Sequence, residues 1–96
     1  MWADFDSEAN ALELRLRKRL GRSDYSEEID EFCHVAIVDE APVNVDLIDP
    51  ADHLDLLVVV ADRYDLDGEE LLATAQAALA APDHLVEVSI GKSLVA

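Results

Sequence analysis

The residues of this chain that could do covalent or metal chemistry are few. There is one cysteine, Cys33, beside His34, and there are two further histidines, His53 and His84, set among 22 Asp and Glu. A nucleophilic thiolate needs exposure and a base that faces it. Neighbours on a helix point about 100° apart, and Cys33 falls on the apolar face of the helix expected for its segment, so it reads as buried and inert. A structural zinc site needs four ligands, mostly Cys and His in close pairs, and one cysteine does not supply them. Asp65-Leu66-Asp67-Gly68-Glu69-Glu70 has the composition of a calcium loop. With Gly68 in the sixth position, however, Arg63 takes the first place and Thr74 the twelfth, so a leading carboxylate and the bidentate Glu are both missing. Gly91-Lys92-Ser93 has the last three residues of a phosphate-binding loop. The first Gly of that pattern is replaced by Val86, and only Leu94-Val95-Ala96 follow to form the helix it requires. The carboxylates are spread along polar faces and single out no acid/base pair. The reading is a non-enzymatic chain with no metal and no cofactor.

The charge itself is the strongest signal. Seven Lys and Arg stand against 22 acids in 96 residues, a net charge of −15. Residues 1–22 hold five basic and four acidic side chains, and residues 23–96 hold two and eighteen, so the parts carry +1 and −16. Such a field repels nucleic acid and anionic membrane and attracts basic protein. The short basic stretch Arg15, Arg17, Lys18, Arg19 and Arg22 fits cations in the last turn of a helix. The longest apolar run, Leu56 to Ala61, is far short of the ~20 residues of a membrane span. The acidic opening Met1-Trp2-Ala3-Asp4-Phe5-Asp6 is not a secretory leader. One cysteine excludes an internal disulfide framework. A single small cytoplasmic domain over residues 1–96 is expected.

The elements that must position these groups are predicted as α+β and mainly helical, about four helices with a small two-stranded antiparallel sheet. Trp2, Phe5, Ala9, Leu12 and Leu16 recur in steps of 3 and 4, the seam of an N-terminal amphipathic helix over 1–21. Leu20 extends the seam, Asp4 or Asp6 caps it and Gly21 stops it. That seam would dock on the body or on a second copy. A strand alternative exists, because Leu12-Glu13-Leu14-Arg15-Leu16-Arg17 alternates perfectly. Asp24 with Glu27 has the form of a capping box. Ile29, Phe32, Cys33, Ala36 and Ile37 then outline a second helix ending before Pro42. Val43, Val45 and Leu47 predict a short strand. Asp49-Pro50 starts a third helix running to Tyr64, with Leu54, Leu57, Val58, Ala61 and Tyr64 on its apolar side. Asp52, Asp55 and Asp62 lie opposite, with Val59 among them. For 32–38 and 54–61 a strand is the competing reading. Asp67 and Glu70 cap a fourth helix ending near Ala81, ahead of Pro82. Leu85 to Ile90 predicts a strand that pairs with residues 43–47.

Two partial family likenesses occur in the middle of the chain. His53-Leu54-Asp55-Leu56-Leu57 with Ala61-Asp62-Arg63-Tyr64-Asp65-Leu66 resembles the helical hairpin near the end of BTB-type interaction domains. It spans about a quarter of the chain, with a hairpin loop one residue longer. Asp52 to Leu66 also resembles the prosthetic-group helix of acyl carrier proteins. His53 stands where that family has its Ser, so no phosphopantetheine can be attached. Neither likeness assigns a family.

The function expected from these residues is that of an acidic interaction protein. Carboxylates fixed on rigid helices can imitate a phosphate backbone and cover the basic groove of a nucleic-acid-binding protein, as anti-restriction and anti-CRISPR inhibitors do. That parallel is one of physics, with no shared motif. The candidate partner-binding residues are Asp39, Glu40, Asp46, Asp49, Asp52, Asp55 and Asp62. One alternative is an immunity protein or antitoxin against a basic nuclease toxin. The other is a salt-adapted homodimer, in which the acids keep the chain hydrated and the surface that matters is the seam Trp2, Phe5, Ala9, Leu12 and Leu16.

Overall fold

Leu12, Leu14 and Leu16 alternate with Glu13, Arg15 and Arg17, and this period of two decides the structure of the first segment. In a computed structural model, which describes residues 1–17 and 23–88, the N-terminal segment is a hairpin. Strand β1 (Trp2–Asp6) pairs antiparallel with β2 (Ala11–Arg15). A meander follows, of β3 (Tyr25–Asp30), β4 (Cys33–Val38) and β5 (Ala41–Ile48). One 3-10 turn (Pro50–Asp52) leads into α1 (Leu56–Tyr64) and α2 (Gly68–Ala80), and β6 (Leu85–Glu87) completes the described chain. The six strands form one sheet in the order β3-β4-β5-β2-β1-β6, with antiparallel pairing throughout.

The expectation of a mainly helical chain with a two-stranded sheet is therefore wrong. The 3-and-4 spacing of Trp2, Phe5, Ala9, Leu12 and Leu16 arises from a hairpin whose turn, residues 7–10, separates two alternating strands. Ala9 sits exposed on that turn, Leu12 is 1% exposed in the core, and Trp2 and Phe5 point to opposite faces. No helical seam exists for a second copy to dock on. The supposed second helix is the β3–β4 hairpin, so the strand reading is correct for 32–38 and the helical one for 54–61. Asp24 caps no helix; its carboxylate accepts the Asp39 N–H at 2.9 Å. The C-terminal strand pairs with β1 instead of with residues 43–47, which lie in β5, two strands away from β1. Residues 18–22, with most of the basic cluster, Leu20 and Gly21, and residues 89–96, with Ile90 and Gly91-Lys92-Ser93, lie outside the described residues.

One face of the sheet is apolar and carries both helices. Ala3, Leu12, Leu14, Cys33, Val35, Ile37, Val45 and Leu47 meet Leu57, Val60, Ala61, Leu71, Ala75 and Ala78 in a single core. Helix α2 lies over β1, β2 and β6, and α1 lies against β3 and α2. A Cβ on Gly68 would come within 3.4 Å of the Ala61 Cβ, so α2 begins close against α1. The buried side of α1 is centred on Leu57, Val60 and Ala61. Val58, expected inside, is instead the most exposed of its three valines, at 64%.

The other face of the sheet carries no helix among the described residues. Asp4, Glu13, Asp46, His34 and Glu28 stand in register across β1, β2, β5, β4 and β3. Glu13 anchors this row: it accepts from the buried Asn44 amide at 2.9 Å and pairs with Arg15 at 3.3 Å. His34 lies 3.4 Å from Glu28.

Candidate partner-binding surface

The turns of this fold need few glycines because aspartates build them. The described non-glycine residues with positive φ are Asn10, Asp39, Glu40, Asp49, Asp65 and Asp83. Asn and Asp tolerate this conformation because their short side chains bond locally to the backbone. Asp39 and Glu40, with φ of 51° and 63°, form the two-residue connection between β4 and β5. Both central residues have positive φ, as a type I′ hairpin turn requires. Asp6 accepts the N–H groups of Glu8 and Ala9 at 3.1 Å each, and Asp30 accepts that of Phe32 at 3.1 Å. Asp83 accepts the Ser7 N–H at 2.9 Å and the Ser7 hydroxyl at 2.6 Å. Those two bonds hold its carboxyl below the usual carboxylate range. Asp67 caps α2 through the N–H groups of Glu69 and Glu70.

This division of labour sorts the seven candidate carboxylates into three places. Asp39 and Glu40 occupy the tip of the β4–β5 hairpin. Asp49 follows the other end of β5, roughly 26 Å away at the usual rise of an eight-residue strand. Asp46 stands on the sheet face away from the helices, where Asp4, Asp6, Glu13, Asp46 and Ile48 line a depression of about 250 Å³. Asp49, Asp52, Asp55 and Asp62 lie together on the segment from the 3-10 turn through α1. Within that last group Asp49 serves the fold, because its carboxylate accepts the Asn10 amide at 2.6 Å. Asp52, Asp55 and Asp62 are exposed and make no side-chain hydrogen bond or ion pair with another described residue. The structure thus keeps the expected trio on one segment and separates Asp39, Glu40 and Asp46 from it.

Helix α1 is held firmly. Tyr64 donates from its hydroxyl to the Glu27 carboxylate, tying the end of α1 to β3. Burial and that bond push the phenol up to about 12. Ahead of the helix, His53 stacks on Phe32 with ring centroids 4.0 Å apart, and its Nδ1 lies 2.8 Å from the Asp49 carbonyl oxygen. These contacts fasten the 3-10 turn to the β3–β4 connection. His53 thereby has a packing role.

The chemistry-bearing side chains do not converge. Cys33 is fully buried, and burial, with Asp30 and Asp46 nearby, pushes its thiol up to about 11. A thiol so raised is neutral at ordinary pH and a poor nucleophile. Among the described residues no three of His, Cys, Asp and Glu are placed to hold a metal ion. Among them, too, no helix is long and apolar enough to cross a membrane.

Sequence reasoning places Val59 beside the trio but assigns Val58 to the core. Asp55, Val58, Val59 and Asp62 are spaced i, i+3, i+4 and i+7, which places all four on one side of α1. All four are exposed, Val59 at 44%. The spacing is visible in the sequence, but a run of three valines gives no phase to the helix, and Val58 reads as core. No protein-family model matches the chain, and comparison with curated proteins and with solved structures gave no match.

Proposed function

We propose that this chain is a non-enzymatic acidic interaction module that covers a basic, nucleic-acid-binding surface of a partner protein. The observation that carries this reading is the set Asp52, Asp55 and Asp62, exposed on one segment and without partners among the described residues. The segment that holds them is fixed by the His53–Phe32 stack beside the 3-10 turn, and along α1 by the burial of Leu57 and Val60 and by the Tyr64–Glu27 bond. Ordered carboxylates present a pattern, whereas the same charges on a floppy chain only aid solubility. A net charge of −15 adds long-range attraction for a cationic partner and repulsion of nucleic acid itself. Association should be fast and weakened by salt, since screening shortens from about 10 Å at 0.1 M to about 3 Å at 1 M.

The test is capture on immobilised protein at low salt, followed by elution with duplex DNA or RNA. The expected result is a basic nucleic-acid-binding protein that polynucleotide competes away. Reversal of Asp52, Asp55 and Asp62 to Lys should abolish capture and leave the circular dichroism spectrum unchanged. Capture that survives reversal in a folded variant, or that polynucleotide does not displace, refutes the reading.

A further inference from the structure

Val58 and Val59 lie outside the buried core of the fold. They are 64% and 44% exposed, while Leu57, Val60 and Ala61 do the packing of α1. Valine is also a poorer helix former than glutamate or arginine, because its branched Cβ is crowded by the preceding turn. An outward pair of valines on a short helix is thus unfavourable locally and little used by the core.

Their setting says what would cover them. Asp55 lies one turn before the pair and Asp62 one turn after it, about 10 Å apart along the axis. Asp55 occupies the N-cap position, yet its carboxylate caps nothing. Arg63, one turn beyond Val59, lies near the Tyr64 hydroxyl, and Asp62 keeps no partner among the described residues. The face is an aliphatic centre with a carboxylate at each end, the arrangement of an interface core with a charged rim.

We propose that this face of α1 is the docking site for a basic amphipathic helix of the partner, whose aliphatic side chains sit on Val58 and Val59 while its Lys or Arg reach Asp55 and Asp62. The inference rests on the acidic-module reading and narrows the partner it implies. A second copy of this chain is the wrong occupant. Parallel apposition sets Asp55 against Asp55, antiparallel apposition sets it against Asp62, and each molecule brings a charge of −15. A partner helix repeats the same period, so cations seven residues apart with aliphatic residues between them match this face.

Two labelled helical peptides of equal positive charge test this. Both carry lysines seven residues apart; one has leucines at the third and fourth positions between them, the other alanines. Fluorescence anisotropy should show the leucine peptide binding about tenfold tighter or more, since tenfold corresponds to only ~1.4 kcal/mol. The double variant Val58→Ala/Val59→Ala should erase that preference and leave alanine-peptide binding unchanged. Its gain in helix propensity offsets the packing lost at the part-covered Val59, and circular dichroism checks that it is folded. Asp55→Asn/Asp62→Asn should weaken both peptides. Equal binding of the two peptides to the unaltered protein, or a preference that survives removal of the valines, overturns the docking site while leaving the charge-based reading standing. Failure of both peptides to bind at low salt removes that reading and this inference together. A dimer in sedimentation that dissociates in the valine variant assigns the face to a second copy and overturns the proposal.

Discussion

At the scale of single residues, the same side chain does two unlike jobs here, and local backbone geometry decides which. Asp67 precedes α2 in extended conformation, so its carboxylate swings over the helix end and takes the N–H groups of Glu69 and Glu70. Asp55 precedes α1 with helical φ and ψ of −61° and −26°. There the preceding turn already supplies the acceptors: the N–H groups of Leu56 and Leu57 donate to the carbonyls of His53 and Leu54, at 3.0 Å each. The carboxylate is left over and faces solvent. Asp67→Ala should therefore cost about 1 kcal/mol of stability, the usual value of a lost N-cap. Asp55→Ala should leave stability nearly unchanged while reducing binding to a cationic peptide. Urea denaturation of both variants checks this, and a comparable loss in the two would show that Asp55 caps after all. The distinction explains what the sequence could convey. Asp67 with Glu70 announces a helix start, and one is found there. Asp39-Glu40 lacks the Asn-Gly signature of a hairpin, so the β4–β5 turn stays hidden in the sequence.

At the scale of elements, what matters is how two periods compete for the same residues. Leu12 is the clearest case. On a helical seam it would be exposed until a partner covered it, and Leu12→Asp would break a dimer. In β2 it is 1% exposed, with Leu14 beside it in the core and Leu47 of β5 across from it. A carboxylate there has no partner, and burying one costs several kcal/mol. That is a large part of the ~5–15 kcal/mol by which domains are stable. Leu12→Asp should thus abolish folding, seen as loss of the β-type circular dichroism spectrum and of a cooperative melt. A folded monomer would contradict the hairpin. Strands β5 and β6, the C-terminal end of α1 and both ends of α2 are legible because each carries either clean alternation or a terminal signal. Asp49-Pro50, by contrast, read as the start of the third helix, opens only a 3-10 turn, and α1 begins later, at Leu56. Residues 2–16 and 25–38 are legible only as competing readings, a strand at Leu12 to Arg17 and at 32–38 against a helix, because a hairpin whose turn has the right length brings apolar residues back every three or four positions. Sheet order is illegible for another reason: the pairing of β6 with β1 spans almost the whole chain and leaves no local trace.

At the scale of the whole molecule, pH and salt act through different groups, and the difference is measurable. A net charge of −15 makes the folded chain repel itself. Lowering the pH from 8 towards 5 removes part of that charge and should raise the melting temperature. Further acidification should reverse the gain. The Asp83 carboxyl is held below its ordinary value by its bonds to Ser7, so its contribution is present above that value and lost as pH falls through the folded one. The alkaline side has another origin. The Cys33 thiol is raised from 9.0 to about 11 by burial, and the Tyr64 phenol from 10.0 to about 12 by burial and the bond to Glu27. Both folded groups hold their protons where the unfolded chain releases them. Their contribution to stability is therefore complete below pH 9 and is lost between roughly pH 9 and 12, as linkage requires. Salt separates the two regimes. Half-molar NaCl screens surface repulsion and should flatten the rise between pH 8 and 5. It should leave most of the alkaline loss in place, because the buried Cys33 thiol is beyond the reach of mobile ions. Tyr64→Phe should then remove the part of that loss between pH 10 and 12 and leave the part that begins at pH 9. If NaCl abolishes the alkaline loss as completely as the acid-side gain, self-repulsion alone governs stability, and Cys33 and Tyr64 have no part in it.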